Sequence, residues 1–356
     1  MARDPILFRV DATPQAGWER LTRCLTYAAA IQRRRRQAYF LTQLDPASLA
    51  LQVKRGGNEW LEPDGPAGTS EDAGEVVREI RRIRPAAVVV DVPDVNESYL
   101  AELAATGTLV VTLDNLAAVR FPSHLVINPL LSPARDAYEF LPGTQLLLGP
   151  RYALVRPEVR RIRPVRAQEP LPPFRALLAL GDDDPHQQTS VLLRQLLAMS
   201  RLERIDVAVR AHHPDLPQLQ ELAATQPERL EVVTEMPEIT SRLARCHFAI
   251  TAGSGWSLEL ACIGLPQLVI VQAEGYWPTA QRLEEEGAAV CLGWYENVTP
   301  STIRQAVQNL LSDPLERQTL ARCGRKLIDG RGPDRLVTAL EVMLHSPQLE
   351  ELRQAA

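Results

Sequence analysis

Residues 248–271 read FAITAGSGWSLELACIGLPQLVIV. Four apolar residues run into Ala252-Gly253-Ser254-Gly255, a helical run follows, Gly264-Leu265-Pro266 stops it, and a second apolar run begins at Gln267. Short apolar runs without alternation are strands covered on both faces, and a helix between two of them is a parallel crossover. Glycines at a strand-to-helix turn let backbone amides approach an anion, and the helix N-terminus adds partial positive charge. Gly253, Ser254, Gly255, Trp256 and Ser257 are therefore candidates for holding phosphate. Glu259 falls one turn into the helix, where a carboxylate can accept two ribose hydroxyls. A generic strand-turn-helix with a solvated glutamate accounts for the same residues, and the Gly-Leu-Pro ending is ordinary helix-stop chemistry.

The alternation extends outward from this stretch. Before it, strands are expected at 176–180, 205–209 and 230–233, with helices near 186–199, 215–225 and 237–245; after it come helices near 277–286, 300–311, 314–328 and 333–345. The first half repeats the pattern, with strands at 7–10, 39–42, 87–90, 109–113, 125–128 and 146–148 and helices near 17–32, 72–82 and 96–105. Residues 151–173, dense in proline and arginine, break the rhythm and read as a partly extended linker. The expectation is an α/β protein with two doubly wound Rossmann-type domains, 1–150 and 174–332, facing a central cleft. A C-terminal helix in 333–356 is expected to pack back on the first domain. The 356-residue length suits two cores rather than one. Residues 53–71 (KRGGNEWLEPDGPAGTSED) form an irregular excursion, either the edge of a binding site or a plain surface loop.

Composition removes several function classes. No run of about 18 uncharged apolar residues exists to span a bilayer, and the N-terminus reads as mature protein without a secretory signal. The five cysteines are odd in number, scattered and without C-x-x-C spacing, so reduced buried thiols and a cytoplasmic location are expected. The six histidines cluster only at His212-His213, which offers no zinc-ligand spacing. A net charge of −5 argues against nucleic acid. The arginine run 33–36 ends a helix, where cations complement the macrodipole.

Two further turns follow strands. At 177–185, LLALGDDDP, Gly181 is placed for a phosphate, but Asp182, Asp183 and Asp184 bring three carboxylates beside it. Each close pair costs about 1 kcal/mol in water and several times that when desolvated. A divalent cation bridges them, or they cap the next helix, or no diphosphate binds there; capping demands least, and no other cofactor is expected. At the N-terminus, Arg9-Val10-Asp11 leads through a turn at Gly17 into a helix carrying Glu19, Arg20, Arg23 and Cys24.

Taken in order, these segments resemble the UDP-sugar hydrolase family of pseudaminic acid biosynthesis, the UDP-2,4-diacetamido-2,4,6-trideoxy-β-L-altropyranose hydrolases, which have a GT-B fold. The resemblance runs through 9–25, Val90-Asp91, TLDNLA at 112–117, LLGPRYALVRPE at 147–158, Leu180-Gly181, 253–266 and DGRG at 329–332. It implies a UDP-sugar ligand, with Glu259 on the ribose and the 254–257 turn on the phosphates. It also places Asp11, Gly17, Glu19, Arg20, Arg23, Asp91, Asp182, Glu274 and Tyr276 about the sugar and the reacting bond. The family hydrolyses the anomeric carbon–diphosphate bond with a histidine as base, and three chemical positions depart from it. Arg20 stands at the histidine, preceded by Glu19 in place of glycine. Gly181-Asp182 replaces Gly-Gly, and Gly275-Tyr276 replaces an Asn-Gln pair. Arginine stays protonated and takes no proton from water. Three outcomes stand open: hydrolysis with Glu19 or another carboxylate as base and Arg20 stabilising the leaving diphosphate, glycosyl transfer from a sugar nucleotide, and an inactive homologue acting as a binding or scaffold protein.

Overall fold

Strands Ala87–Asp91 and Leu109–Leu113 bury every residue, as strands with helices on both faces must. The computed structural model describes residues 3–14, 16–93, 95–131, 134–181, 184 and 186–346. Asp182 and Asp183 therefore lie outside the described residues. The chain divides into two units, Met1–Leu154 with Arg331–Ala356, and Val155–Gly330.

In the first unit seven strands lie in the spatial order Glu59–Leu61, Arg36–Leu41, Arg3–Val10, Ala87–Asp91, Leu109–Leu113, Leu125–Asn128, Gln145–Leu148. Every pairing is parallel. The order reverses between Arg3–Val10 and Ala87–Asp91, where Val10 faces Asp91. Alternate side chains feed the two faces. Ile6, Phe8 and Val10 pack with helices Glu19–Gln32 and Gly332–Leu344, while Leu7, Val88 and Val90 pack with Ser70–Ile83 and Glu97–Ala104.

The second unit repeats the scheme with six parallel strands in the order Leu230–Val233, Leu202–Ala208, Phe174–Ala179, Phe248–Thr251, Gln267–Val271, Val290–Trp294. Its reversal falls between Phe174–Ala179 and Phe248–Thr251, where Ala179 faces Thr251. Both sheets are thus doubly wound, and in such sheets ligands bind outside the carboxyl ends of the strands at the reversal.

The C-terminal helix Gly332–Leu344 belongs to the first unit. It buries Leu336, Val337, Leu340, Met343 and Leu344, at about 1.5–3 kcal/mol for each large apolar side chain fully removed from water. Gly332 permits the approach, because a Cβ there would lie 2.1 Å from the Ala153 carbonyl oxygen. Arginines of the 33–36 run fasten it: Arg36 pairs with Glu341 at 2.8 Å and Arg33 with Asp334 at 2.7 Å. Burial of Arg36 makes that end of the run part of the core, which helix-end capping alone does not describe.

Residues 151–173 are not a free linker. Tyr152 and Leu154 pack on the first unit's core, and Pro157–Ile162 forms a helix of the second unit. Several of its arginines point inward. Arg163 donates to the carbonyl oxygens of Cys262, Ile328 and Arg325, and Arg166 to those of Leu243 and Cys246. Each carbonyl ends or follows a helix, where cations are favoured. Two edge strands escape the sequence pattern. Glu59–Leu61 has only three residues, and Val290–Trp294 is half-buried with a register shift before Gly293. Cys24, Cys246 and Cys262 are free and buried; Cys291 and Cys323 are free and half-buried.

Candidate functional site

The first unit closes its reversal point with its own charges. Asp91 ends strand Ala87–Asp91 with no exposure. Helix Glu19–Gln32 presents Arg20 and Arg23, three residues apart and hence on one face. Arg23 grips the carboxylate with Nε and Nη2, both at 2.5 Å, and Arg20 Nη1 donates to it at 2.8 Å. Burial alone would raise the Asp91 pKa, but the two guanidinium groups overcome it and hold the acid below the ordinary carboxylate range. Arg23 Nη1 also donates to Asn115 Oδ1 at 2.7 Å. The structure thus joins Arg20, Arg23 and Asp91, which the resemblance placed about the sugar, in an ion cluster of their own. Glu19 opens the same helix, partly buried, and Gly17 closes the preceding turn with its amide 2.8 Å from the Thr13 carbonyl oxygen.

Asp11, expected among the catalytic side chains, is a fastener instead. Its Oδ1 accepts from the Gln43 amide and its Oδ2 from the Ala67 amide, both at 2.9 Å, and Arg9 pairs with it. Arg9 is fully buried and also meets Asp72 at 2.7 Å, whose other oxygen takes the Tyr99 hydroxyl at 2.8 Å. Gly68 donates to Asp72 and Asp64 to Glu75. Residues 64–68 of the irregular excursion are therefore tied down by buried carboxylates.

In the second unit, polar side chains at the carboxyl ends of the strands are left without partners. Gly181 (φ 113°) and Gly253 (φ 84°) end the two strands that flank the reversal. At Gly253 a side chain is excluded twice over, by the left-handed backbone and by Tyr276 O and Ala280 Cβ at 3.2 Å. Ser254 precedes helix Gly255–Ile263 in extended conformation, with its hydroxyl buried and unpartnered. Gln272, just past strand Gln267–Val271, is 4% exposed, and neither its Oε1 nor its Nε2 has a partner. The Gln272 carbonyl oxygen lies 3.1 Å from His186 Nε2, and that imidazole stacks on Tyr295 with ring centroids 4.0 Å apart. Asp184 accepts from the amides of Gln188 and Thr189 at 2.9 and 2.8 Å, which is capping of helix Gln188–Leu197. Burial would raise its pKa, but His213 and these donors hold it low. Among the described residues no group of three His, Cys, Asp or Glu side chains gathers as a metal site.

Three of the side chains expected on the nucleotide have internal partners. Glu259 is 4% exposed and paired with Arg156, whose backbone amide and Nε reach Oε1 at 2.8 and 2.9 Å and whose Nε and Nη2 meet Oε2. Neither the solvated glutamate nor an uncommitted ribose ligand describes it; a ribose would have to share the carboxylate with Arg156. Trp256 lies under the Arg156 guanidinium at 4.5 Å. Ser257 Oγ is 2.9 Å from Thr251 Oγ1 inside a buried triad with Gln267. Glu274 is exposed and Tyr276 half-buried in the short turn Glu274–Tyr276. Gln272, His186 and Tyr295 were not singled out in the sequence. Gln272 carried a usable signal, as the first polar residue after a buried strand next to the reversal, while the stack of His186 on Tyr295 joins residues 109 positions apart.

No protein-family model matches the chain. The spore coat polysaccharide biosynthesis protein SpsG of Bacillus subtilis (strain 168) is 25% identical over 224 residues, 62% of this chain and 65% of that protein, just under two-thirds of its length. Among solved structures, Acinetobacter baumannii MurG matches 95% of this chain and 100% of its own with a TM-score of 0.64 at 15% identity. The spinosyn rhamnosyltransferase SpnG complexed with thymidine diphosphate matches over 95% and 100% with a TM-score of 0.63 at 17% identity. The architecture is of the GT-B, Rossmann-like type. Among the described residues no helix is long and apolar enough to cross a membrane.

Two outcomes follow from the ion pairs. Asp91→Asn leaves two guanidinium groups without their anion and is expected to cost roughly 3–5 kcal/mol at pH 7 in urea unfolding. Because the folded pKa of Asp91 lies below the unfolded value of about 3.9, its contribution is present above that value and lost as pH falls through the folded pKa. The gap between wild type and variant should therefore shrink below about pH 4, and equal stabilities at pH 7 would contradict the cluster's role. Glu259→Ala should lower the stability of the unliganded chain on a similar scale by stranding Arg156; an unchanged melting temperature would return Glu259 to a purely ligand-binding role.

Proposed function

We propose that the chain is a glycosyltransferase that draws its sugar from a pyrimidine nucleoside diphosphate donor. In this reading the donor sits at the carboxyl ends of the second unit's strands, and the first unit serves the acceptor. The observation that carries it is the pair of buried, unsatisfied side chains at the carboxyl ends of neighbouring strands, Ser254 by the reversal and Gln272 one strand on. Leaving such a group without a partner costs about 1–3 kcal/mol, so a ligand that completes them is favoured by that amount at each. The Ser254 hydroxyl and the amides opening helix Gly255–Ile263 supply donors for diphosphate oxygens. Gln272 supplies both a donor and an acceptor, and the stacked His186–Tyr295 pair beside it offers a flat surface for a base. The rhamnosyltransferase SpnG, complexed with thymidine diphosphate on the same architecture, supports the ligand class.

Transfer fits the first unit better than hydrolysis does. In transfer, the bond from the anomeric carbon to the diphosphate breaks with its electron pair leaving on the diphosphate. The acceptor oxygen bonds to that carbon and gives up its proton. Hydrolysis in the manner of the pseudaminic acid enzymes needs a neutral base where Arg20 stands, and Arg20 is a cation held on Asp91. The relation to SpsG supports a saccharide acceptor in polysaccharide biosynthesis.

Calorimetric titration with UDP and TDP tests the ligand. Binding should weaken about ten- to hundredfold in Ser254→Ala, as expected for a lost hydrogen bond to a charged group, while the melting temperature stays level or rises because an unsatisfied hydroxyl has gone. Absence of binding to either nucleotide would remove the proposal. Nucleotide release from UDP-sugars only when a saccharide acceptor is added supports transfer, and release into water alone would establish hydrolysis in its place.

A further inference from the structure

A second feature of the Val155–Gly330 unit is independent of the strand carboxyl ends. A cavity of about 500 Å³ lies between residues 166–169, the Gly264–Pro266 turn and helix Pro314–Leu327. Gly264 and Pro266 lead into strand Gln267–Val271, and Gln272 follows it. The cavity and the proposed nucleotide site are thus at opposite ends of one strand, roughly 20 Å apart at 3.3 Å per residue.

The lining is unusual in charge. Arg166, Arg317, Arg322 and Arg325 contribute guanidinium groups, and Glu169 is the one carboxylate among the lining residues. Arg317 takes that carboxylate. Arg325 Nη1 is held by the Arg163 carbonyl oxygen at 2.6 Å. Arg166 is 5% exposed; its Nη1 donates to main-chain oxygens of Leu243 and Cys246, but its Nε is a buried donor without an acceptor. Arg322 stands exposed at the rim. Carbonyl dipoles hold Arg166 and Arg325 in place without cancelling their charge. Burial pushes Arg166 down to about 10 and Arg325 adds to that shift; Arg325 is itself lowered by burial and by Arg163. Four guanidinium groups around one cavity, one with a spare buried donor and only one carboxylate among them, are satisfied by a multiply charged oxyanion whose geometry matches guanidinium forks.

The geometry points to a second oxyanion site in this unit, a guanidinium-lined cavity at the amino ends of its strands that takes a compact phosphate or diphosphate group free in solution. An anion there contacts residues 166–169, the helix Pro314–Leu327 and the turn that ends helix Gly255–Ile263, so its binding braces the far end of the same helix whose N-terminus is offered to the donor.

Sodium pyrophosphate titrated calorimetrically into the full chain at low ionic strength, with excess UDP present to occupy the other site, tests the inference. Binding should persist with UDP present and fall roughly tenfold or more in Arg322→Glu, an exposed substitution that leaves the packing alone. No heat at millimolar pyrophosphate, or equal affinity in wild type and Arg322→Glu, overturns it. Sedimentation with phosphatidylglycerol vesicles separates the two sources of phosphate. Binding of pyrophosphate without co-sedimentation supports a soluble ligand, and Arg322-dependent co-sedimentation with silence toward pyrophosphate overturns that assignment in favour of a lipid headgroup. A chain that fails to bind UDP while binding pyrophosphate retains this site and loses the donor site.

Discussion

The carboxylate of Asp91 accepts from Arg20 and Arg23 with no exposure to solvent, and it sits where every doubly wound sheet has the same difficulty. At the reversal of strand order, neighbouring crossovers leave in opposite directions and a gap opens at the carboxyl ends of two adjacent strands. Polar groups stranded in that gap must find partners. The first unit supplies its own. Arg23 and Arg20 meet Asp91, and one strand away Arg9 links Asp11 to Asp72 and so pins residues 64–68. The second unit solves the problem only in part. Asp184 caps the helix after the first strand, and Ser257 joins Thr251 and Gln267 beneath the turn. Ser254 and Gln272 are left buried with nothing to bind. Fold alone leaves function open; the unpartnered Ser254 and Gln272 are the reason the donor is proposed to bind the second unit.

Most of the architecture was legible in the sequence because doubly wound sheets bury both strand faces. Runs such as Val88-Val89-Val90 and Leu268-Val269-Ile270-Val271 have no other comfortable place in water, and helical periodicity between them fixes the crossovers. What escaped were elements without that constraint. Glu59–Leu61 is an edge strand only three residues long, inside a stretch whose glycines and prolines argued for irregularity. Residues 151–173 lack strand or helix periodicity and so read as a linker, but their guanidinium groups donate to helix-end carbonyls and are at home in the interior.

Side-chain roles were less legible than strands. The resemblance placed Arg20, Arg23 and Asp91 about one ligand, and the structure sets them on a helix face opposite a strand end, joined to each other. Whether a carboxylate is free for chemistry depends on partners far along the chain. Glu259 is occupied by Arg156, 103 residues away, and Asp11 by the Ala67 amide, 56 residues away. Neither partner is visible from local spacing. Ser254 stood out in the sequence by its place in a glycine turn, yet the feature that matters, a hydroxyl buried without a partner, exists only once the neighbouring strands are in position.

Ser254 and Gln272, buried without partners, are the side chains that the proposed nucleotide completes. A crystal structure of the chain with UDP or TDP bound tests this most directly. Diphosphate oxygens are expected within hydrogen-bond distance of the Ser254 hydroxyl and the first amides of helix Gly255–Ile263, with the Gln272 side chain engaged by the nucleotide. A nucleotide bound elsewhere, with both of those side chains still unsatisfied, would contradict it.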